Sequence, residues 1–479
     1  VLKDPKKLNT EVKDYIEANN KITENYFADV KTFQKNLFDE IKGRIKLDDE
    51  SIPFKDRNYE YWTRTTTKGN YSIKLRKKIG TDLIEEYWNG DEEKKKLNTE
   101  YFGVGDIEVS YNDKILGYSL DLKGSEYYTI YLRDIETNKI ISEKIEDTAG
   151  GITFSLDDKF IFYSKLDKFH RPRKIYRHKI GDNISNDKLI FEEKSDAFTV
   201  GINLTSDEKY FIITSSDHNT SEQYYFKSTE ENPEPKLIKK RNKGIIYSVN
   251  SWDNHFYNHT NENAEDFKID YCNDLSIQDW KSYIPAQEET LIGSLFFLNN
   301  WILRSEISNA LPKIFVKNIK TNQEEEIKFT DEKIIDPGIS FYQKDRDTDL
   351  IYLSYSSPKT QSRTYLYNLK SKERKLVKEQ EIPSGHNPED YIVERLECNS
   401  HDGRKVPITL TRHKKTKVDG TANVLLYGYG SYGSSMSPSF SSTKFSLIDR
   451  DIIWVTAHIR GGMERGMKWW KEGKLLNKK

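Results

Sequence analysis

Val424-Leu-Leu-Tyr-Gly-Tyr-Gly-Ser-Tyr-Gly433 is an apolar strand pattern that runs directly into a glycine-rich loop. A second apolar run, Ile452-Ile-Trp-Val-Thr-Ala457, follows after a polar stretch, and then Arg460-Gly-Gly462. Short continuous apolar runs of this kind fill parallel sheets whose two faces are covered, so both are read as buried strands. A tight glycine turn after such a strand can point donors at a substrate carbonyl oxygen, where negative charge develops during acyl transfer. On that reading Tyr429 donates through its phenol, and Gly428, Gly430, Arg460, Gly461 and Gly462 support the loop. Arg460 is expected to brace it by bonding backbone carbonyls. The other reading makes Tyr427 and Tyr429 ordinary strand-end aromatics.

No Gly-x-Ser-x-Gly turn occurs anywhere in the 479 residues, so the nucleophile that such a loop would serve is not in this sequence. Residues 384–479 therefore read as the opening part of an α/β-hydrolase domain, with apolar strands that lack neighbours on one side. Two alternating strands precede the glycine loop, Tyr391 to Leu396 and Val406 to Thr411, with a turn at Gly403. Ile382-Pro-Ser-Gly-His-Asn-Pro388 before them suits a linker.

Upstream the pattern repeats. Asn112-Asp-Lys-Ile-Leu-Gly-Tyr-Ser-Leu-Asp121, Asp157-Asp-Lys-Phe-Ile-Phe-Tyr-Ser-Lys165 and Asp207-Glu-Lys-Tyr-Phe-Ile-Ile-Thr-Ser215 share one plan: an acidic turn, a lysine, then an apolar strand. Further strands follow the first two, at Tyr128–Leu132 and Lys174–His178. Weaker copies start near Tyr59, Ile245, Leu291 and Phe341, which makes seven. A multi-strand repeat of roughly 40–50 residues is the mark of β-propeller blades, none of which can bury its faces alone. A solenoid or a long sandwich would tolerate the same period, but four strands per repeat favour a seven-bladed propeller over residues 49–383. Before it, residues 1–48 carry apolar positions at helical spacing (Val12, Tyr15, Ile16, Ile22, Tyr26, Val30, Phe33, Leu37, Ile41), which predicts two amphipathic helices.

Composition narrows the function. The aromatic fraction of 13% excludes disorder, and a net charge of −1 gives no global reason to bind nucleic acid or an anionic membrane. Cys272 and Cys398 are too far apart in sequence for a zinc motif and read as reduced structural thiols. No apolar run is long enough to span a bilayer, and Val1-Leu-Lys-Asp-Pro-Lys-Lys-Leu8 lacks the apolar core of a leader, so a cytoplasmic location is expected. The sequon at Asn203 is then a chance match. A first residue other than Met leaves an incomplete N-terminus open.

Other constellations have blander readings. Gly428-Tyr-Gly-Ser-Tyr-Gly433 also satisfies the dinucleotide pattern, but that motif opens a helix at once. Here Ser434-Ser-Met-Ser-Pro-Ser439 follows, and a helix becomes plausible only near Thr443. The acidic residues Asp449 and Asp451 follow no second strand–helix–strand unit. His458 on an apolar strand reads as a hydrogen-bonded core residue. His386, His401, His413 and Cys398 fit no metal spacing, so no metal and no cofactor is expected. His170-Arg-Pro-Arg-Lys-Ile-Tyr-Arg-His178 reads as a solvated basic strand and turn, with an acidic partner as the alternative.

Several stretches together resemble the prolyl oligopeptidase family of serine peptidases, and within it the oligopeptidase B (protease II) group. They are Glu40-Ile-Lys-Gly-Arg-Ile-Lys-Leu-Asp-Asp49 with Pro53, Tyr101-Phe-Gly103 with Val109-Ser110, Ile145-Glu-Asp-Thr-Ala-Gly150, Arg173-Lys-Ile-Tyr-Arg-His178, the 427–433 loop, Arg460-Gly-Gly462 and Gly473-Lys-Leu-Leu476. The resemblance implies a seven-bladed propeller capping an α/β-hydrolase domain, with the N-terminal helices packed on the latter. It implies a cytosolic enzyme that cuts short peptides after Lys or Arg, and a propeller that restricts substrate size. Tyr429 then matches the family's oxyanion-hole tyrosine. The serine elbow, the catalytic Asp and His, and the carboxylates that select basic side chains have no match in this chain, and Asp449 and His458 do not take their places. The expectation is a chain cut short of its catalytic serine and inactive alone. The alternatives are a propeller binding module, one half of a two-chain enzyme completed by a separate polypeptide, and, remotely, a nucleotide-binding protein.

Overall fold

The computed structural model describes residues 8–340 and 344–478. Phe341, near which the seventh copy was read to start, lies outside the described residues, as does most of the segment read above for a leader.

The acidic turns in the repeats are hairpin corners. Asp113, Asp158 and Glu208 adopt left-handed backbone at φ of 61, 55 and 59°. Each corner is closed by a hydroxyl on the residue two positions on: Ser110 to Asn112 at 2.8 Å, Ser155 to Asp157 at 2.7 Å and Thr205 to Asp207 at 2.8 Å. Behind each corner the apolar strand enters the middle of an antiparallel meander. Seven such units follow one another, at residues 49–89, 103–148, 153–192, 199–239, 247–284, 290–326 and 336–379. The sheets of blades two and three are joined by one pairing, Lys165 with Thr148.

The core lies between blades. Apolar clusters join each consecutive pair from one–two to six–seven, as where Phe162 and Ile175 of blade three meet Phe211, Ile213 and Phe226 of blade four. Full burial of each such side chain is worth about 1.5–3 kcal/mol. Among the described residues no apolar cluster joins blade seven to blade one. That joint is polar, with Lys378 on Asp49 at 2.7 Å and Lys55 on Asp345 at 2.9 Å.

After the linker a four-stranded sheet forms in the order Tyr391–Asn399, Lys405–His413, Ile453–Ala457, Val424–Tyr427. The last two strands are parallel, with Val424 opposite Ile453 and Tyr427 opposite Thr456. Val424–Tyr427 is the edge strand, so the missing neighbour expected on one side falls here, and Val424 and Leu426, read as buried, are 58% and 67% exposed.

The two predicted helices form at Thr10–Tyr26 and Lys31–Gly43. Asn9 caps the first by accepting from Glu11 N at 2.8 Å. The second is tied at its C-terminal end to the short hydrolase helix Phe445–Ile448 and the turn after it. The guanidinium of Arg44 donates to Ser446 Oγ at 3.0 Å and Asp449 Oδ2 at 2.9 Å, and Arg450 donates to Glu40 at 2.7 Å. The first helix has no buried residue, and Tyr15 and Tyr26 stand 71% and 80% exposed.

Candidate functional site

The glycine loop is built against the 460–462 turn. Gly430 and Gly461 take left-handed backbone, at φ of 58 and 101°. A Cβ on Gly430 would meet Ile459 Cγ1 at 2.5 Å and Arg460 O at 2.6 Å, so only glycine fits there. Gly433 N donates to Gly461 O at 2.9 Å, which fastens the far end of the loop. Gly428 meets only ordinary contacts, with Ala457 O at 3.4 Å from its notional Cβ. At Gly462 a Cβ would run into the carboxylate of Glu464.

Arg460 does not brace the loop in the expected way. Its guanidinium donates to side chains of the 400–402 turn, Asp402 Oδ2 at 2.5 Å and Ser400 Oγ at 3.3 Å. The cation on the backbone carbonyls is Lys478, whose ammonium donates to Gly430 O and, at 2.8 Å, to Arg460 O. Lys478 carries no motif, and sequence reasoning had no signal for it. Tyr429 sits on the loop, 44% exposed, with its hydroxyl without a partner among the described residues. Tyr432 is more exposed still and lies over the propeller near His218, ring centroids 6.3 Å apart.

Behind the loop is a buried polar group that sequence reading saw only in part. His458 is fully buried, with Nε2 at 2.8 Å from Thr409 Oγ1 and Nδ1 unpaired. Burial, and then the charge of Arg395, pull its imidazole down to about 4. Glu464, also fully buried, accepts from Met436 N through Oε1 at 2.9 Å, while Oε2 is unpaired. Burial pushes its carboxyl above the ordinary range, against the bond from Met436 N. His458 thus sits as the core residue expected, and Glu464, four residues past Arg460, was missed. An acid so close to the Gly-Gly pair was the available signal.

The turn and its following helix, Gly466–Lys471, dock on the propeller. Asp266 of blade five accepts from Met467 N at 2.6 Å and Glu289 N at 2.8 Å. Arg465 pairs with Glu289 at 2.6 Å, and Met467 and Trp470 enter the core between blades five and six. The glycine loop therefore faces the propeller end formed by its second-to-third strand connections.

Other predicted residues fall elsewhere. No helix opens at Gly433; the first helical turn is Ser442–Lys444, leading into Phe445–Ile448, so the loop has no helix N-terminus to hold a phosphate. Asp449 is engaged by Arg44 and by the Tyr391 hydroxyl at 2.7 Å, and Asp451 by Thr416 at 3.1 Å. His386 stacks on Tyr391 and bonds Lys359 O at 2.7 Å. His401 lies on the exposed 400–403 turn. Cys272 is buried, but Cys398 is exposed, which corrects its reading as a structural thiol. Among the described residues no group of His, Cys, Asp and Glu is arranged to hold a metal. The basic run 170–178 is not solvated throughout. Arg177 and His178 are buried, and His178 Nδ1 lies 2.6 Å from Asp187 Oδ1.

A seven-bladed propeller facing a glycine loop on the first strands of an α/β-hydrolase sheet defines a class, the propeller-capped peptidases. Comparison with known sequences narrows it. The profile of the prolyl oligopeptidase N-terminal β-propeller domain matches residues 2–380. Dipeptidyl aminopeptidase BI of Pseudoxanthomonas mexicana is 31% identical across all of this chain and 68% of its own length. Protease 2 of Moraxella lacunata is 27% identical over 98% of the chain and 69% of its own length. Oligopeptidase B from Trypanosoma brucei, in a closed form with covalently bound antipain, superposes over the whole chain and 69% of its own, with a TM-score of 0.93 at 26% identity. The chain belongs to the prolyl oligopeptidase family and is oligopeptidase B-like. It spans about two thirds of the length of these relatives.

Proposed function

We propose that this chain supplies the propeller and the first hydrolase strands of an oligopeptidase B-type serine peptidase, one that cleaves short peptides after Lys or Arg. Size restriction would come from the propeller, since the glycine loop faces it. The observation that carries the reading is Tyr429, partly exposed beside Gly430, which no other residue can replace, and with its hydroxyl unpartnered among the described residues. In acyl transfer a serine attacks the carbonyl, a histidine moves the proton and an aspartate orients the histidine. Tyr429 would donate to the oxyanion that forms.

Serine, histidine and aspartate of that set are not in this chain, so the polypeptide 1–479 by itself is expected to be inactive. Loss of a nucleophile and its base lowers turnover on the order of a million-fold. The test is purified 1–479 with an N-blocked Arg-Arg aminocoumarin substrate and a fluorophosphonate label. No turnover and no labelling are expected; labelling of this chain overturns the reading of its site.

A second reading, one half of a two-chain enzyme, is favoured by the open edge at Val424–Tyr427 and the uncovered apolar stripe of the first helix. A polypeptide bearing the serine elbow would then pair with that edge and co-purify with this chain. Substrate choice has its own alternative. The relative that is 31% identical is named a dipeptidyl aminopeptidase. In the completed enzyme, faster cleavage of a substrate with a free N-terminal dipeptide than of the N-blocked one would favour that specificity.

A further inference from the structure

Five arginines are buried among the described residues: Arg44, Arg76, Arg133, Arg177 and Arg304. Four of them bond a carboxylate, Arg44 with Asp449 at 2.9 Å and Arg76, Arg133 and Arg304 with Glu85, Glu93 and Glu306 at 2.7 Å. Arg177, only 6% exposed, does not. It donates to the backbone carbonyl of Glu231 at 2.6 Å and lies over the ring of Phe160, 4.2 Å from its centroid. Asp157, the carboxylate whose charge reaches it, is already engaged by Ser155 Oγ at 2.7 Å and Lys159 Nζ at 3.1 Å. A buried guanidinium with no carboxylate bonded to it is costly, because its desolvation is only partly offset by a charge at a distance.

Arg177 lines a cavity of about 660 Å³ between blades three and four. That size suits a small organic ligand. Phe160 is the partly exposed ring of its apolar wall, with Phe162, Phe211 and Phe226 buried behind it. It opens among the first-to-second and third-to-fourth strand connections, so it lies on the propeller face turned away from the glycine loop. At the rim Lys179 and Lys188 are exposed and unpaired among the described residues, and Asp182, Glu230 and Glu231 stand near them. Asp182 is engaged by Asn186 at 2.9 Å and Glu230 by Lys227 N at 3.3 Å. With Asp157, four carboxylates line the cavity and oppose a polyanion, while a single charge can reach the buried guanidinium. Nη1 is held by the Glu231 carbonyl, so a carboxylate would meet the remaining N–H groups of the guanidinium, whose planar geometry suits it.

We propose that this cavity binds a carboxylate carried on an aromatic or similar apolar body, the carboxylate on Arg177 and the body against the Phe160 side of the wall. Two sources share this chemistry, a free aromatic acid and the C-terminus of a short peptide ending in an apolar residue.

Isothermal titration of the full chain tests it with N-acetyl-phenylalanine, its carboxamide, the tripeptide Ala-Ala-Phe and inorganic phosphate. Both acids are expected to bind, the carboxamide roughly tenfold or more weakly, as loss of a charged hydrogen bond implies, and phosphate is expected not to compete. Tighter binding of the tripeptide identifies a peptide terminus, and tighter binding of N-acetyl-phenylalanine a free acid. Arg177→Met should abolish the preference for acid over amide. Should that variant not fold, the acid–amide comparison on the unaltered protein decides alone, and Phe160→Ala should weaken both aromatic ligands. Equal binding of acid and amide, displacement by phosphate, or no binding of either acid at millimolar concentration overturns the proposal and leaves Arg177 as a cap on the Glu231 carbonyl.

Discussion

The carbonyl oxygen of Gly430 occupies the space that a Cβ on Gly461 would need, so the two turns of the candidate site meet only as glycines. Gly461 also sits at a φ of 101°, which side-chain-bearing residues rarely adopt. Gly461→Ala is therefore expected to lower stability by at least ~2 kcal/mol, through strain and overpacking together. Urea unfolding followed by tryptophan emission measures it. A change within a few tenths of a kcal/mol would mean that the loop moves freely.

Leu426 leaves the sheet edge apolar and unpaired. Such an edge templates association with another chain. Purified 1–479 is expected to associate as its concentration rises, and Leu426→Lys to reduce this. Light scattering across a dilution series reads the effect, and equal association of both proteins would clear the edge of responsibility.

Asp266 bonds two backbone N–H groups, one on each side of the propeller–hydrolase contact. Asp266→Ala leaves both without their acceptor and should weaken the contact by roughly 1–3 kcal/mol. The expected readout is faster proteolysis within residues 430–478 at unchanged propeller melting. Unaltered cleavage there would refute the role.

Arg44 is the buried link between the second helix and the short hydrolase helix Phe445–Ile448. Asp449 is partly exposed, so solvent screening holds the expected loss for Arg44→Met to about 1–2 kcal/mol. Hydrogen exchange over residues 31–43 should accelerate, while exchange in blade three stays as it was.

His458 makes the stability of the C-terminal sheet depend on pH. Its folded pKa of about 4 lies below the ordinary 6.5, so between these values the unfolded chain binds a proton that the folded one refuses. The contribution is complete above about pH 6.5 and is lost as the pH falls towards 4, by about 3 kcal/mol in all. His458→Gln should flatten that part of the profile. Parallel profiles for the two proteins would exclude His458 as the cause.

Blades two, three and four were the most legible because each opens on a local object. A serine or threonine, an acidic corner at positive φ, a lysine and an apolar strand lie within a dozen residues, and the hairpin closes on itself. The glycine loop was legible for the same reason, since Gly430, Gly433 and Gly461 are needed by backbone geometry that few other residues can adopt.

Burial and partnership were not local. Val424 and Leu426 have the composition of a buried strand and lie open in this chain, which spans about two thirds of its relatives' length, because burial depends on a neighbouring strand and not on the residue itself. Lys478 reaches Gly430 across 48 positions and takes the role expected of Arg460. Arg177 belongs to a run that reads as solvated, but it is enclosed by a loop of the next blade, more than fifty positions on. Short-range turn chemistry writes the repeat and the loop into the chain; which surfaces end up covered, and by what, is settled only when distant segments pack.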